Sequence, residues 1–313
     1  MTTLCDDIIQ NGITTGIHPP HVFNPLIERI KRAMKFILTP EFTQAADALA
    51  EDYTQVAKAL EFCRLPYDEI WVECSQSQRL HFVKGGKVEP WQGIPLKIGF
   101  LMKATSMDFS SFKVHQFWTV ANPLFNRIDR CVGFLAAQFD MKGEELSSEE
   151  LARIGEGSSE SWKNAPLEVR RRLMSVMNVC WPDFPVPQAQ GDAYDRMAIM
   201  DWTGEPPFVE ATLALLNCRN VHQTEYVDKA EHNRKRMRRG HSPLMSYHLV
   251  KIHPHHIVRA GTRNNGEEHA ALRAHFVRGH FKHRRTGLYF WRPHARGKVS
   301  AGRVDKDYEV HAV

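Results

Sequence analysis

From Glu69 to Asp140 short runs of apolar residues alternate with polar ones, joined by connections too short to hold a crossover helix, and this confines the segment to an antiparallel sheet. Glu69-Ile70-Trp71-Val72-Glu73-Cys74 has the period of two that a half-buried strand needs. Leu80 to Val83 runs into Gly85-Gly86, a pair suited to the positive φ angles of a hairpin turn. Further runs at Ile98 to Ala104, Phe112 to Val120 and Cys131 to Asp140 bring the expected sheet to about five strands in meander order.

Helical spacing flanks this segment. Asn24-Pro25 offers a cap and a proline at the first helical position, and Leu26, Ile27, Ile30, Met34 and Ile37 then recur as one stripe. Thr39-Pro40 repeats the device before Phe42, Ala45, Ala46, Leu49, Tyr53, Val56 and Leu60, and Leu65-Pro66 marks the stop. Ser147 or Ser148 caps a helix with Glu149 and Glu150 in its first turn, and Pro166 to Val179 forms another. Trp181 to Pro187 is too proline-rich to stay helical, whereas Phe208 to Leu216 is apolar nearly all round and belongs at the centre of the core. The class is therefore α+β: N-terminal helices, a mostly antiparallel sheet, a helical middle and a C-terminal β-hairpin module.

Charge divides the chain more sharply than hydropathy does. Residues 219–313 hold 20 Lys and Arg against 8 Asp and Glu, net +12, while residues 1–218 hold 21 against 28, net −7. Thirteen of the 17 histidines also fall in the basic part. The expected organisation is an acidic α+β body over residues 1–218 and a basic, His/Arg-rich module over 219–313, and a segment this basic attracts phosphate or an acidic partner. Mutual attraction between the two parts is the competing explanation.

No run reaches the roughly 18 apolar residues of a membrane span, and MTTLCDDIIQ is acidic where a secretory signal is basic, so no membrane association and a cytoplasmic location are expected. The six cysteines are scattered without a CxxC pair, as in a reduced compartment. Walker A, G-x-G-x-x-G, H-E-x-x-H and G-x-S-x-G signatures are absent, and no cofactor is expected.

Within the basic part, Val221 to Val227 and Met245 to Ile252 alternate like strands, and Arg259 to Glu268 reads as a loop. Asp228 caps a short helix that Gly240 ends. Its Arg234, Lys235, Arg236, Arg238 and Arg239 have no accompanying apolar stripe, which suits either a phosphate-binding surface or a solvated face. Arg273 to Lys282 and Leu288 to Arg292 form a hairpin around Thr286-Gly287, adding Arg278, Lys282, Arg284, Arg285 and Arg292 to the candidate nucleic-acid contacts. In a continuous strand 275–282, Arg278, His280 and Lys282 share a face. An imidazole between two cations suits phosphate chemistry, so His280, with His294 brought near by the returning strand, is a candidate acid–base pair for metal-independent RNA cleavage. Basic hairpins with aromatic neighbours also bind RNA or DNA without cleaving it. His253-Pro254-His255-His256 has metal-binding side chains but no carboxylate at a familiar ligand spacing, and no native metal is expected there.

Leu65 to Glu73 (LPYDEIWVE), Phe208 to Val221, Asn233 to Ile252 with Arg239-Gly240 and Pro243-Leu244, and His275 to Gly297 resemble proteins encoded by bacteriophages and prophages. The shorter pattern Val277-Arg278-Gly279-His280, followed by Trp291-Arg292-Pro293-His294 and a basic residue before Gly297, is similar to the C-terminal ends of other bacterial and phage proteins. The resemblance implies a mobile-element origin and expression in the bacterial cytoplasm, and it implies no fold, activity or catalytic residue. Three functions stand open at this point: phosphate-backbone binding to RNA or DNA, RNA cleavage through His280 and His294, and non-enzymatic inhibition of a host protein. A virion component is a fourth.

Overall fold

The computed structural model describes residues 3–14, 20–75, 95–122, 127–133, 136–143, 147, 164–180, 205–252, 273–277, 280–291, 294–296 and 298–303. Its α+β class is the expected one, but the sheet is larger and mixed: nine strands in place of about five. They are β1 (Met34–Leu38), β2 (Glu69–Ser75), β3 (Pro95–Ala104), β4 (Ser111–Asn122), β5 (Arg127–Val132), β6 (Ala136–Asp140), β7 (Met177–Cys180), β8 (His222–Val227) and β9 (Tyr247–Ile252). The order is β7-β6-β4-β3-β2-β1-β9-β8, with β5 pairing the far half of the long β4. The expected antiparallel meander is present from β2 to β6, where the run 131–140 divides into β5 and β6. The expected strand at Leu80 to Val83, the helix following Ser147 and the connector at Trp181 to Pro187 lie outside the described residues.

The additional strands come from segments whose period misleads. The stripe from Leu26 to Ile37 predicts one helix, yet helix α2 (Asn24–Arg32) stops and Met34 begins β1. A five-residue apolar run fits helix and strand alike, and pairing decided it, because β1 has parallel partners on both sides, β2 and β9. Likewise the second stripe divides into α3 (Pro40–Ala50) and α4 (Tyr53–Ala59), because the Asp52 side chain accepts the Gln55 N–H at 3.2 Å and caps a new helix. The segment after Pro166 is helical only as α5 (Leu167–Ser175) before becoming β7.

Both faces of the sheet are covered. On one, α3, α4, α5 and α6 (Glu205–Asn217) pack over Phe36, Val72, Phe100 and Phe112, with α6 buried from Phe208 to Leu215 as its all-round apolarity requires. On the other, helix α1 (Leu4–Asn11), the turn Pro20–Phe23 and α2 cover Trp71, Leu101 and Phe117. The Trp71 ring lies over Gly99 of the neighbouring strand, where any Cβ would collide with Trp71 Cζ2. Val221, Val250, Phe281, Leu288 and Phe290 belong to the same core as Phe36 and Phe208, so residues on both sides of the 218/219 charge boundary share one sheet and one core.

A buried carboxylate joins α1 to the sheet. Glu73, on β2 beneath α1, accepts the N–H groups of Leu4 (2.5 Å) and Cys5 (3.1 Å), two of the donors a helix start leaves unpaired, and the indole N–H of Trp71 (3.1 Å). Asp6 accepts the Met245 N–H at 2.7 Å and so ties the same helix to the approach of β9. Burial raises the Glu73 pKa, and the backbone donors work against that rise. Glu210, on α6, has no such help: it is fully buried, its Oε2 meets no donor among the described residues, and burial raises its pKa far more than nearby Arg172 lowers it.

Two stability predictions follow from these carboxylates. Glu73→Ala leaves two helix N–H groups and an indole N–H buried without an acceptor and lowers unfolding free energy by about 3 kcal/mol, read as a shift in the urea midpoint. A carboxyl with a raised folded pKa contributes stability that is complete below its ordinary value of 4.5 and is lost as pH climbs through the folded value. Glu210→Gln cannot ionise, so it melts above the native chain near about pH 8, and this difference shrinks towards about pH 4.

Candidate nucleic-acid interface

The basic helix forms where expected, as α7 (Ala230–Arg238), between β8 and β9. The Asp228 carboxylate accepts the Ala230 N–H at 2.9 Å at its start. At its end the N–H of Gly240 (φ 76) bonds Met237 O and that of His241 bonds Arg236 O, both at 3.0 Å, a Schellman closure that a left-handed glycine permits. The Asn233 amide both accepts from Leu244 N–H (2.8 Å) and donates to Leu244 O (2.7 Å), which ties the helix to the segment leading into β9.

No residue of α7 is buried. Arg234 and Arg238 form one i,i+4 row and Lys235 and Arg239 another, and like charges at that spacing destabilise a helix. Lys235 pairs with Glu231 at 3.1 Å, whereas Arg234, Arg236, Arg238 and Arg239 meet no carboxylate among the described residues. Arg236 instead donates from Nε to Ser242 O at 2.9 Å. Helix stability therefore does not account for this density of cations.

The hairpin differs from the expected one in where it begins. The described residues between Arg273 and Arg284 form two strands, β10 (Arg273–Val277) and β11 (His280–Arg284), in separate sheets, and Arg278 and Gly279 lie outside the described residues. β11 pairs with β12 (Gly287–Trp291) through the loop Arg285-Thr286, and the positive φ falls on Gly287 (φ 127). β10 pairs instead with β13 (His294–Arg296) and β14 (Lys298–Arg303).

The hairpin has two chemically distinct faces. Phe281, Leu288 and Phe290 point into the core, while His280, Lys282, Arg284, Tyr289 and Trp291 share the opposite face. There the Lys282 ammonium sits 5.1 Å from the Trp291 ring centre, and the Arg284 guanidinium lies 5.4 Å from Tyr289 and 5.8 Å from Trp291. His280 stacks beside Trp291 at 6.3 Å. Lys282, Arg284 and Arg285 are exposed and meet no carboxylate among the described residues. His280 and Lys282 thus share a face as the period of two requires, whereas Arg278 and Arg292 lie outside the described residues. His294 lies on β13, where its backbone pairs with Val277 in the small sheet, while His280 pairs with Trp291 in the hairpin. His253, His255 and His256 also lie outside the described residues, and among those described no three His, Cys, Asp or Glu side chains converge as a metal site would.

Two residues position the hairpin that local patterning does not reveal. The Asn220 amide accepts from Phe290 N–H (3.0 Å) and donates to Phe290 O (2.9 Å), and Gln55 accepts the Phe281 N–H at 3.1 Å. Both act on strands distant in sequence, and no short-range pattern encodes such contacts. Asn220 immediately precedes Val221 and β8, while α7 follows β8, so the two cationic groups stand at opposite ends of one edge strand. Six strand residues span about 20 Å.

Asn220→Ala is predicted to remove both bonds to Phe290, about 1–2 kcal/mol in all, and to act locally. The Phe290 amide then exchanges with solvent at least about tenfold faster while amides of β2 and β3 keep their protection. No protein family, curated protein or solved structure matches this chain.

Proposed function

We propose that this chain is a phage- or prophage-encoded protein of the bacterial cytoplasm that binds RNA or DNA by its phosphate backbone, through α7 and the β11–β12 hairpin. The observation that supports the reading is the state of the cations. Arg234, Arg236, Arg238 and Arg239 on α7, and Lys282, Arg284 and Arg285 on the hairpin, have no carboxylate partner among the described residues. Self-neutralisation by the acidic body, the competing explanation, requires such partners. Each phosphate contact releases counterions, so affinity belongs to a surface that keeps its cations available. Arg278 and Arg292 add to the hairpin group by their place in the sequence. Among the described residues no helix is long and apolar enough to cross a membrane.

Fluorescence anisotropy with a labelled oligonucleotide tests the proposal. With about five phosphate contacts, affinity falls about a hundredfold or more between about 50 and 200 mM salt. Reversal of Arg234, Arg238 and Arg239 to Glu, or of Lys282, Arg284 and Arg285 to Glu, each weakens binding more than about tenfold. Absence of binding at low salt, or full affinity in both reversals, overturns it.

A further inference from the structure

A row of aromatic rings crosses the sheet at the end where α7 stands. Phe36 on β1, His248 on β9 and Tyr226 on β8 are direct cross-strand neighbours. Phe36 and His248 stack with centroids 5.6 Å apart and 28° between planes, His248 and Tyr226 are 5.2 Å apart at 47°, and Tyr67 closes the far end at 6.1 Å from Phe36. The inner ring is covered, with Phe36 5% exposed, but the outer two are open: Tyr67 is 45% and Tyr226 60% exposed. At that exposure the Tyr226 ring contributes little to the core.

The two ends of the row differ in charge. The shallow depression at Tyr67 is lined by Arg32 and Lys103 but also by Asp68 and Glu69, and Lys103 pairs with Asp68, so it has no net preference for an anion. Tyr226 lies four residues before the first residue of α7, so it stands at the end of β8 from which the cationic helix departs. At the hairpin, by contrast, Lys282 and Arg284 already sit over Trp291 and Tyr289, so those ring faces are occupied by the protein's own cations. The Lys229 ammonium lies over Tyr247, not Tyr226, and His248 is the ring neighbour of Tyr226 among the described residues.

We infer that the nucleic acid is single-stranded, and that an unpaired base stacks on Tyr226 as the outermost ring of the Phe36–His248–Tyr226 row while its flanking phosphates meet α7. This rests on the phosphate-binding reading above and narrows it. An open ring at the end of β8 from which a helix of carboxylate-free cations departs matches a polymer that offers flat bases and phosphates together, and a duplex keeps its base faces stacked inside. Among the described residues β8 is an edge strand, and no further strand pairs with it beyond β9. Sequence preference is expected to be weak, because every base has a π face.

The experiment compares one labelled oligonucleotide as a single strand and as its duplex, using the native full chain, Tyr226→Ala and Tyr226→Phe at low salt. The native chain is expected to bind the single strand at least about tenfold more tightly than the duplex. Tyr226→Ala weakens single-strand binding by about ten- to a hundredfold, the range that loss of one base–aromatic stack gives, and leaves duplex binding within about twofold. Tyr226→Phe keeps the ring and stays close to native. Circular dichroism melts confirm that the exposed substitutions leave the fold intact. Equal affinity for both forms, or native single-strand affinity in Tyr226→Ala, overturns the inference while salt-sensitive binding still upholds the broader reading; the open ring then belongs to a protein partner. If neither form binds the native chain, both readings fall together.

Discussion

The parallel pairing of β9 onto β1 is the constraint on which the rest of the arrangement depends. Phe36, Ile37 and Leu38 stand opposite His248, Leu249 and Val250, and the Thr39 N–H continues the ladder onto Val250 O at 3.0 Å. β1 is thereby bracketed on both edges, which is why its short apolar run is strand rather than the last turn of α2. The same pairing brings the basic third of the chain into the body: β8 follows as the edge strand, α7 caps one end of it, and Asn220 holds the hairpin at the other. Without β9 in that place, neither cationic group would have a rigid support.

The polar groups taken inside the protein divide into those that are answered and those that are not. Glu73 meets three donors and adds to the local cap that Thr3 gives α1 by accepting the Asp6 N–H, while Lys35 on the adjoining strand donates to the carbonyls of Lys31 (2.9 Å) and Ala33 (2.7 Å), and burial lowers its pKa. Both fix where the N-terminal helices sit on the sheet. Glu210 is the exception, a carboxyl that burial drives towards its neutral form. The thiols of Cys5, Cys63 and Cys218 are also pushed up by burial, so they are held protonated and are poor nucleophiles. Chemistry on this chain is thus to be sought on its surface rather than in its core.

On the proposed reading, the separation of the two cationic groups has a physical role. Concentrated at one point, seven unneutralised cations would repel one another and destabilise the element that bears them. Divided between a helix and a hairpin at opposite ends of β8, they present a track of about 20 Å, a length suited to a polymer with regularly spaced charge rather than to a small anion. The hairpin stabilises its own share by placing Lys282 and Arg284 over aromatic rings, whereas no residue of α7 is buried.

Much that depends on near neighbours was legible in the residues themselves. Gly240 ends α7 because a left-handed position follows the last helical turn, α6 is buried all round because it is apolar all round, and the strands from β3 to β6 run antiparallel because their connections are short. The charge asymmetry, and with it the cationic character of α7 and the hairpin, is likewise a property of composition alone. Tertiary structure decided the remainder. It made β1 a strand, split Arg273 to Lys282 between two sheets, and assembled Phe36, His248 and Tyr226 from three strands into one row. Period and capping report energies within a few residues, while sheet order is set by which distant strands together bury the most apolar surface, and that sum exists only once the whole chain has closed on itself.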